Sequence, residues 1–164
     1  MTIKKNFPNS FPENINDMEN IFIDTDVIID FLADRKPFSK ESAAIFSLID
    51  QKKIRGYVSS LSFNNLYYIL KKAGSHKKIM KSLQDLSEMV GILKVDSEII
   101  KSAILSGFKD FEDAVQYFTA LEHKRINCIL TRNVNDFKNV LLPVMTPKSF
   151  LAALTNIQDG QLSK

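Results

Sequence analysis

Residues 21–32 read IFIDTDVIIDFL, and this stretch decides the fold. Its first three residues are apolar and lead into Asp24, which is typical of a strand buried on both faces of a parallel sheet. Val27, Ile28 and Phe31 then recur at the spacing of an amphipathic helix. The stretch therefore predicts a buried strand that passes directly into a helix.

The same alternation continues along the rest of the chain. The segments IRGYVSS, VGILKV, INCILT and LLPVM predict four further strands, and segments of helical periodicity lie between them. Alternating strands and helices are typical of a parallel sheet with helices on both faces. We therefore predict a three-layer α/β/α sandwich with a central parallel sheet of about five strands.

The chain has 164 residues, with 22 Lys and Arg against 19 Asp and Glu and a net charge of +3. This length and an ordinary composition favour one globular domain and exclude a wholly disordered chain. The periodic pattern occupies residues 20–155, which we interpret as that domain. Residues 1–19 lack periodicity and are interpreted as a flexible arm, and residues 156–164 as a polar tail.

Composition also excludes several kinds of site. Cys128 is the single cysteine, which excludes an internal disulfide and a cysteine-based zinc site. With two histidines in the chain, metal chemistry would depend on carboxylates, which favour Mg²⁺ or Mn²⁺. No apolar run approaches the ~18 residues of a membrane span, and the N-terminus lacks an apolar signal core. We therefore expect a cytoplasmic protein without a membrane partner.

Five acidic residues stand at positions where a parallel sheet binds its ligands. Asp24 closes the first strand, Asp26 follows it, and Asp136 lies in the turn after the fourth strand. Asp110 and Asp113 lie in the first turn of a helix, where side chains at i and i+3 share a face. Ligands gather at the carboxyl ends of such strands, and clustered acids repel unless a cation neutralises them. The pattern suggests a divalent metal site.

Each acid also has a purely structural interpretation. Asp110 could cap its helix, Asp113 could complement the helix dipole, and Asp136 could belong to an ordinary turn. Asp30, on the helix after the first strand, is interpreted as solvated surface. Spacing alone leaves both interpretations open.

Three segments, IFIDTDVIIDFL, DFEDAVQYFTA and TRNVNDF, are informative together. In this order they resemble the PIN-domain family, and in particular its VapC-like toxin ribonucleases. IFIDTDVIIDFL resembles the family's opening strand and helix, DFEDAVQYFTA its second acidic segment, and TRNVNDF its third. The order and spacing agree over roughly residues 20–155. The resemblance implies a PIN fold and a Mg²⁺- or Mn²⁺-dependent endoribonuclease that hydrolyses phosphodiester bonds in single-stranded RNA.

The resemblance also implies the residues of the site. The positions of the family's catalytic, metal-binding acids are those of Asp24, Asp113 and Asp136. Peripheral positions are those of Asp26, Asn65, Asp110, Thr131 and Asn133. Two departures stand out, since Asp26 replaces a usual Asn, and Asn65, or less readily Asn64, replaces a Glu that the family commonly carries. The second departure removes a negative charge from the implied metal site.

The partners that the resemblance implies are an RNA substrate, an antitoxin protein and a second copy of the chain. A basic segment, KKAGSHKKIMK, is a candidate RNA contact because a polyanion needs a positive rim beside clustered acids. Its lysines are Lys71, Lys72, Lys77, Lys78 and Lys81. A solvated helix junction explains the same segment equally well.

Two other functions stay open at the level of sequence. The Asn at position 65 favours a PIN-fold module with weak or no catalysis that acts by binding RNA or protein. Asp24-Thr25-Asp26 also fits the D-x-D motif of haloacid dehalogenase-type phosphatases, in which the first Asp is the nucleophile. The rest of the chain matches that second family poorly.

Overall fold

The computed structural model of the chain describes residues 19–161. The predicted N-terminal arm, apart from Glu19, lies outside the described residues. The described residues form five strands and seven helices: β1 (Asn20–Ile23), α1 (Thr25–Leu32), α2 (Ser39–Asp50), β2 (Arg55–Ser59), α3 (Ser60–Leu70), α4 (His76–Met89), β3 (Gly91–Leu93), α5 (Ser97–Leu105), α6 (Phe111–Glu122), β4 (Cys128–Leu130), β5 (Val144–Met145) and α7 (Pro147–Gln161). A short 3-10 helix, Val134–Asp136, follows β4.

The five strands form one parallel sheet in the order β3-β2-β1-β4-β5. β1 is central, and Phe22 lies in register with Tyr57 of β2 on one side and Ile129 of β4 on the other. The chain moves outward in one direction from β1 to β3 and in the opposite direction from β4 to β5. The carboxyl ends of β1 and β4 therefore meet at a topological switch point, where ligands of such sheets bind.

β1 divides the hydrophobic core between the two faces of the sheet. Ile21 and Ile23 belong to a core that α1, α2, α3, α4 and α7 complete on one face. Phe22 faces the opposite side and packs with Tyr117 of α6 and Ile129 of β4. All three β1 side chains are fully buried. The predicted three-layer α/β/α sandwich with five parallel strands is confirmed.

Side-chain caps fix where several helices begin. Asp96 accepts hydrogen bonds from the backbone N–H groups of Glu98 and Ile99 and so caps α5. Asp110 caps α6 in the same way, with its Oδ1 atom 2.8 Å and 3.2 Å from the nitrogens of Glu112 and Asp113. Such caps satisfy backbone donors that the first helical turn leaves free. The structural interpretation of Asp110 as a helix cap is confirmed.

α7 is the longest helix of the described residues, with fifteen residues. It begins at Pro147 and continues to Gln161. The helix therefore extends into residues 156–164, the predicted polar tail, because each residue added to a nucleated helix gains a backbone hydrogen bond. Neither α7 nor any other helix among the described residues is both long and apolar enough to cross a membrane.

Candidate functional site

Asp24 lies at the carboxyl end of the central strand, directly before α1. Its side chain is buried, with 4% of the residue exposed. Gln116 Nε2 donates to Asp24 Oδ1 at 2.7 Å, and Thr131 Oγ1 donates to Asp24 Oδ2 at 2.7 Å. Two neutral donors from α6 and the end of β4 thus hold the carboxylate in place.

The surroundings of Asp24 oppose its negative charge. Burial raises the pKa of Asp24 to about 7, and the charges of Asp26 and Glu112 add to the shift. The hydrogen bonds from Thr131 and Gln116 lower the same pKa without outweighing burial. An uncompensated carboxylate in this position favours either a proton or a cation.

Asp113 lies one helical turn before Gln116 on α6 and is half-buried. Burial raises the pKa of Asp113 to about 7, and the negative charges of Asp24, Asp110 and Asp136 raise it further, in that order. Coulombic interactions of this kind weaken with distance, so Asp24, Asp110 and Asp136 each lie near Asp113. The structure brings Asp24, Asp113 and Asp136 to the same edge of the sheet.

The turn after β4 connects Asp136 to the same edge. Thr131 Oγ1, which donates to Asp24, also accepts a hydrogen bond from the backbone N–H of Asn133 at 3.0 Å. The Asn133 carbonyl then accepts from the backbone N–H of Asp136 at 2.9 Å. The side chains of Asn133 and Asp136 are exposed. Thr131 therefore couples the position of Asp24 to the turn that carries Asp136.

The donor chemistry of these acids fits a hard divalent cation, since carboxylate oxygens are the ligands that Mg²⁺ and Mn²⁺ prefer. Their mutual repulsion, visible in the raised pKa of Asp113, is the other feature that a cation would relieve. In the described part of the chain, no three Asp, Glu, His or Cys side chains are already arranged around a common metal position. Asp24 is the fixed member of the set, and Asp136 is the most exposed.

Asp26 has a different environment from Asp24. Arg132 donates to Asp26 Oδ2 from its backbone N–H at 3.1 Å and from Nε at 3.3 Å. The same Nε atom lies 3.1 Å from Asp30 Oδ2. Asp30 is fully buried, so its interpretation as solvated surface is wrong. Burial of two acids is tolerated here because Arg132 compensates their charge.

Asn65 lies beside the acids, on α3. It is half-buried and lines a cleft of about 270 Å³ together with Asn64, Glu112 and Gln116. Gln116 is the residue that holds Asp24 Oδ1, so the cleft opens next to the Asp24 carboxylate. Glu112 contributes a carboxylate to this cleft, where the sequence suggested only amides.

The predicted RNA-binding lysines are exposed and lie at the junction of α3 and α4. Lys71 directly follows α3 and lies six residues after Asn65, a rise of about 9 Å along the helix axis, and the other lysines lie further along the chain. Lys81 pairs with Asp85 at 2.6 Å, and the Lys72 Nζ atom lies 5.7 Å from the ring centroid of Tyr68. None of the five lysines lines the cleft that holds Asn65.

Sequence reasoning gave no role to Gln116 or Arg132. Gln116 follows Asp113 by three residues, and a polar residue at a buried helical position is a signal that could have identified it. Arg132 stood inside the TRNVNDF segment, next to Thr131. Their partners lie about a hundred residues earlier in the chain, and no local sequence pattern indicates a pair that far apart.

Comparison with a family model gives a direct match. The model described as PIN domain matches residues 20–135, which is more than half of the chain. Ribonuclease VapC1 of Aquifex aeolicus (strain VF5) is 29% identical over 141 residues, covering 80% of this chain and 93% of that protein.

Solved structures share the fold at lower sequence identity. VapBC2 from Rickettsia felis, bound to a DNA fragment from their promoter, gives a TM-score of 0.58 at 14% identity, covering 77% of this chain and 98% of that chain. A toxin-antitoxin complex from Klebsiella pneumoniae gives a TM-score of 0.58 at 21% identity, covering 77% of this chain and 97% of that chain. These likenesses concern the fold.

Proposed function

Since the chain belongs to the PIN domain family, we propose that it is a Mg²⁺- or Mn²⁺-dependent endoribonuclease that hydrolyses phosphodiester bonds in single-stranded RNA. The family match runs from β1 to the turn after β4, so it includes the segments of Asp24 and Asp113 and reaches residue 135, next to Asp136. The similarity to Ribonuclease VapC1 supports the reaction class.

The environment of Asp24 carries this proposal. The carboxylate is buried at a topological switch point and is held by two neutral donors, close to the acid Asp113. None of the ion pairs in the described part of the chain involves Asp24, Asp113 or Asp136. Folding alone gains nothing from such an arrangement, since like charges repel. A cation-dependent reaction on a phosphate explains it.

The roles follow from these positions. Asp24, Asp113 and Asp136 would hold the ion, which when bound would stabilise charge on the scissile phosphate and acidify an attacking water. Gln116 and Thr131 act as positioning residues that keep the two Asp24 oxygens in a fixed orientation. Asp110 keeps Asp113 at the start of α6 through its cap. The catalytic contribution of the protein is therefore orientation rather than a covalent nucleophile.

We further propose that the protein is the toxin of a toxin-antitoxin pair and acts in the cytoplasm. The support is the similarity to Ribonuclease VapC1 and to solved toxin-antitoxin assemblies. An antitoxin protein and a second copy of the chain are then the expected partners. Expression of the wild-type protein should arrest growth, and coexpression of the product of the adjacent gene should relieve the arrest. Unimpaired growth at a verified expression level would contradict the toxin assignment.

A PIN-fold module that binds RNA without cleaving it is the second candidate. Asn65 favours it, because an amide in the cleft beside Asp24 supplies no negative charge for a metal. The family assignment, by contrast, gives no support to a haloacid dehalogenase-type phosphatase.

One assay separates these functions. Purified protein is incubated with single-stranded RNA and, in parallel, with a phosphomonoester, in EDTA and then with excess Mn²⁺ or Mg²⁺. We expect cleavage of RNA alone, lost in EDTA and restored by either ion. RNA binding without cleavage would support the non-catalytic module, and hydrolysis of the phosphomonoester would support a phosphatase. RNA cleavage that persists in EDTA would overturn the metal-dependent mechanism.

A further inference from the structure

A second cleft, of about 350 Å³, opens on the Arg132 side of the acids. It lies between the α1–α2 connection, α2 and the start of α7, and we call it the Phe38 cleft. Its walls include Asp30, Phe38, Glu41, Ser42, Arg132 and Lys148. Its volume is at the lower end of the range of small-ligand sites, about 300–1,000 Å³, which suits one nucleotide unit.

The Phe38 cleft adjoins the acidic site through the chain itself. Arg132, in its wall, directly follows Thr131, which holds Asp24 Oδ2. Asp26, two residues after Asp24, accepts from the Arg132 backbone N–H. Consecutive Cα atoms are about 3.8 Å apart, so the wall of the Phe38 cleft continues directly into the residue that holds Asp24.

A flat platform forms one side of the cleft. The Arg132 guanidinium carbon lies 4.7 Å from the centroid of the Phe38 ring, and Phe38 is 44% exposed. Arg132 Nε is directed to Asp26 and Asp30, which fixes the guanidinium plane against rotation. Unpaired RNA bases stack on aromatic rings and on guanidinium planes. An exposed ring held by an anchored guanidinium is a surface of that kind.

The charges of the cleft favour a neutral ligand over a phosphate. Asp30 and Glu41 balance Arg132 and Lys148 among its walls, and the Arg132 guanidinium is already paired with two carboxylates. A site for a free phosphate needs a surplus of positive charge, which is absent here. A nucleobase is uncharged, planar and edged with hydrogen-bonding groups.

We propose that the Phe38 cleft binds one unpaired base of the RNA next to the bond to be cleaved, with the base stacked on the Phe38–Arg132 platform. This inference rests on the proposed function for the identity of the polymer, and it adds the place at which a base is bound.

The direct test uses the metal-free protein, so it does not depend on catalysis. The protein in EDTA is titrated with the four nucleoside 5′-monophosphates and with ribose 5-phosphate, and amide NMR shifts are followed. We expect the four nucleotides to shift the amides of Ser42 and Lys148, because every base has a flat face that can stack on the platform. Ribose 5-phosphate, which lacks a base, should leave them unchanged. Equal shifts from ribose 5-phosphate would overturn the proposal.

Variants locate the binding in the cleft. Phe38→Ala should weaken binding of the nucleotides roughly five-fold or more, the usual effect of removing a stacking ring. Phe38→Leu, which keeps an apolar cover, should show the same loss and guards against misfolding. Ser39→Ala is the control, since Ser39 is adjacent in sequence but lies outside the cleft, and it should leave binding unchanged.

The inference is overturned if no mononucleotide binds, or if binding is unchanged in Phe38→Ala and Phe38→Leu. Either result would leave a protein side chain as the occupant of the cleft. The proposed function fails by a different result. If the mononucleotides bind as described but the protein cleaves no RNA with Mn²⁺ or Mg²⁺, then the nuclease assignment is lost and base recognition stands. If RNA is cleaved but no mononucleotide binds in the Phe38 cleft, the nuclease assignment stands and base recognition by the cleft is lost.

Discussion

Asp24 and Asp26 are two residues apart, yet they occupy opposite electrostatic environments. Asp24 is held by the neutral donors Gln116 and Thr131. Asp26 is paired with Arg132, which also compensates Asp30. Burial raises the pKa of both aspartates, but only Asp26 has a cation beside it to oppose the shift.

This difference shows how acids that serve a function can be distinguished from acids that stabilise the fold. A compensated carboxylate contributes to the folded state, and its pairing is reason enough for its position. An uncompensated one raises the free energy of the folded protein, so its persistence calls for a ligand. By this criterion we propose that Asp24 and Asp113 serve the reaction, whereas Asp26 and Asp30 are structural acids paired with Arg132.

The largest expected effect is on activity at Asp24. Asp24→Asn keeps the shape of the side chain but removes a metal-binding charge, and we expect kcat/KM on single-stranded RNA to fall by about 100-fold or more. The melting temperature of the metal-free protein should stay the same or rise, since the substitution relieves burial of a charge. Steady-state kinetics with Mn²⁺ and thermal unfolding in EDTA measure the two quantities.

Asp50→Asn is the matched control, because Asp50 is an exposed carboxylate at the end of α2. It should change neither activity nor stability. If the Asp24→Asn protein still cleaves RNA within a few-fold of wild type, the metal binds elsewhere. The contrast between Asp24 and Asp26 would then not identify the functional acid.

The compensated pair should behave in the opposite way. Arg132→Met leaves Asp26 and Asp30 buried without a cation, and we expect the free energy of unfolding to fall by about 3 kcal/mol. Adding Asp26→Asn and Asp30→Asn to the same variant removes the stranded charges and should restore most of that loss. Urea unfolding measures both variants. A loss below about 1 kcal/mol in Arg132→Met would show that solvent, rather than Arg132, compensates the two acids.

The sequence predicted the fold and the candidate acids, but it did not predict the hydrogen bonds and ion pairs that these acids make. Strand and helix alternation is local, so β1 to β5 and the caps at Asp96 and Asp110 were predictable. The segments that carry Asp24, Asp113 and Asp136 were recognised by motif. The pairing of Arg132 with Asp30 was not, because it depends on which strand ends the sheet places side by side. Asp30 was therefore misinterpreted as surface.

The uncompensated acids should also set the pH dependence of stability. The pKa values of Asp24 and Asp113 rise from 3.8 to about 7 on folding, so the folded protein binds more protons than the unfolded chain between these values. Stability gained from these groups is complete below about pH 4 and is lost as the pH rises through about 7. We expect the metal-free melting temperature to be higher near pH 5 than near pH 8.

The variant Asp24→Asn gives the control for this prediction, since its pH profile should be flatter than that of the wild type. Saturating Mn²⁺ should also flatten the wild-type profile at high pH, because a bound cation replaces the protons. Identical profiles for wild type and Asp24→Asn would mean that Asp24 is ionised in the metal-free protein.

A smaller effect is expected at Asn65, where a negative charge can be added beside the uncompensated acids Asp24 and Asp113. Asn65→Glu places a carboxylate in the cleft that Glu112 and Gln116 share, and it should tighten Mn²⁺ binding by roughly 1 kcal/mol. Calorimetric titration measures the change. Asn64→Glu, on the adjacent and exposed position, should have less effect. If Asn64→Glu tightens binding more, Asn64 occupies the position that faces the metal.

The smallest effect should come from the lysines at the α3–α4 junction, which are exposed and line neither the Asn65 cleft nor the Phe38 cleft. Neutralising Lys77 and Lys78 together, as Lys77→Gln and Lys78→Gln, should raise KM for RNA by about three-fold or less at physiological salt, since exposed charges are screened over about 8 Å. The same double variant should lower the salt dependence of binding, because two fewer phosphates are neutralised. A loss of kcat, or an effect independent of salt, would instead place this junction in contact with the reacting RNA and extend the site along α3. An effect confined to KM would leave base recognition to Phe38 and Arg132, because long-range attraction by lysines is indifferent to sequence.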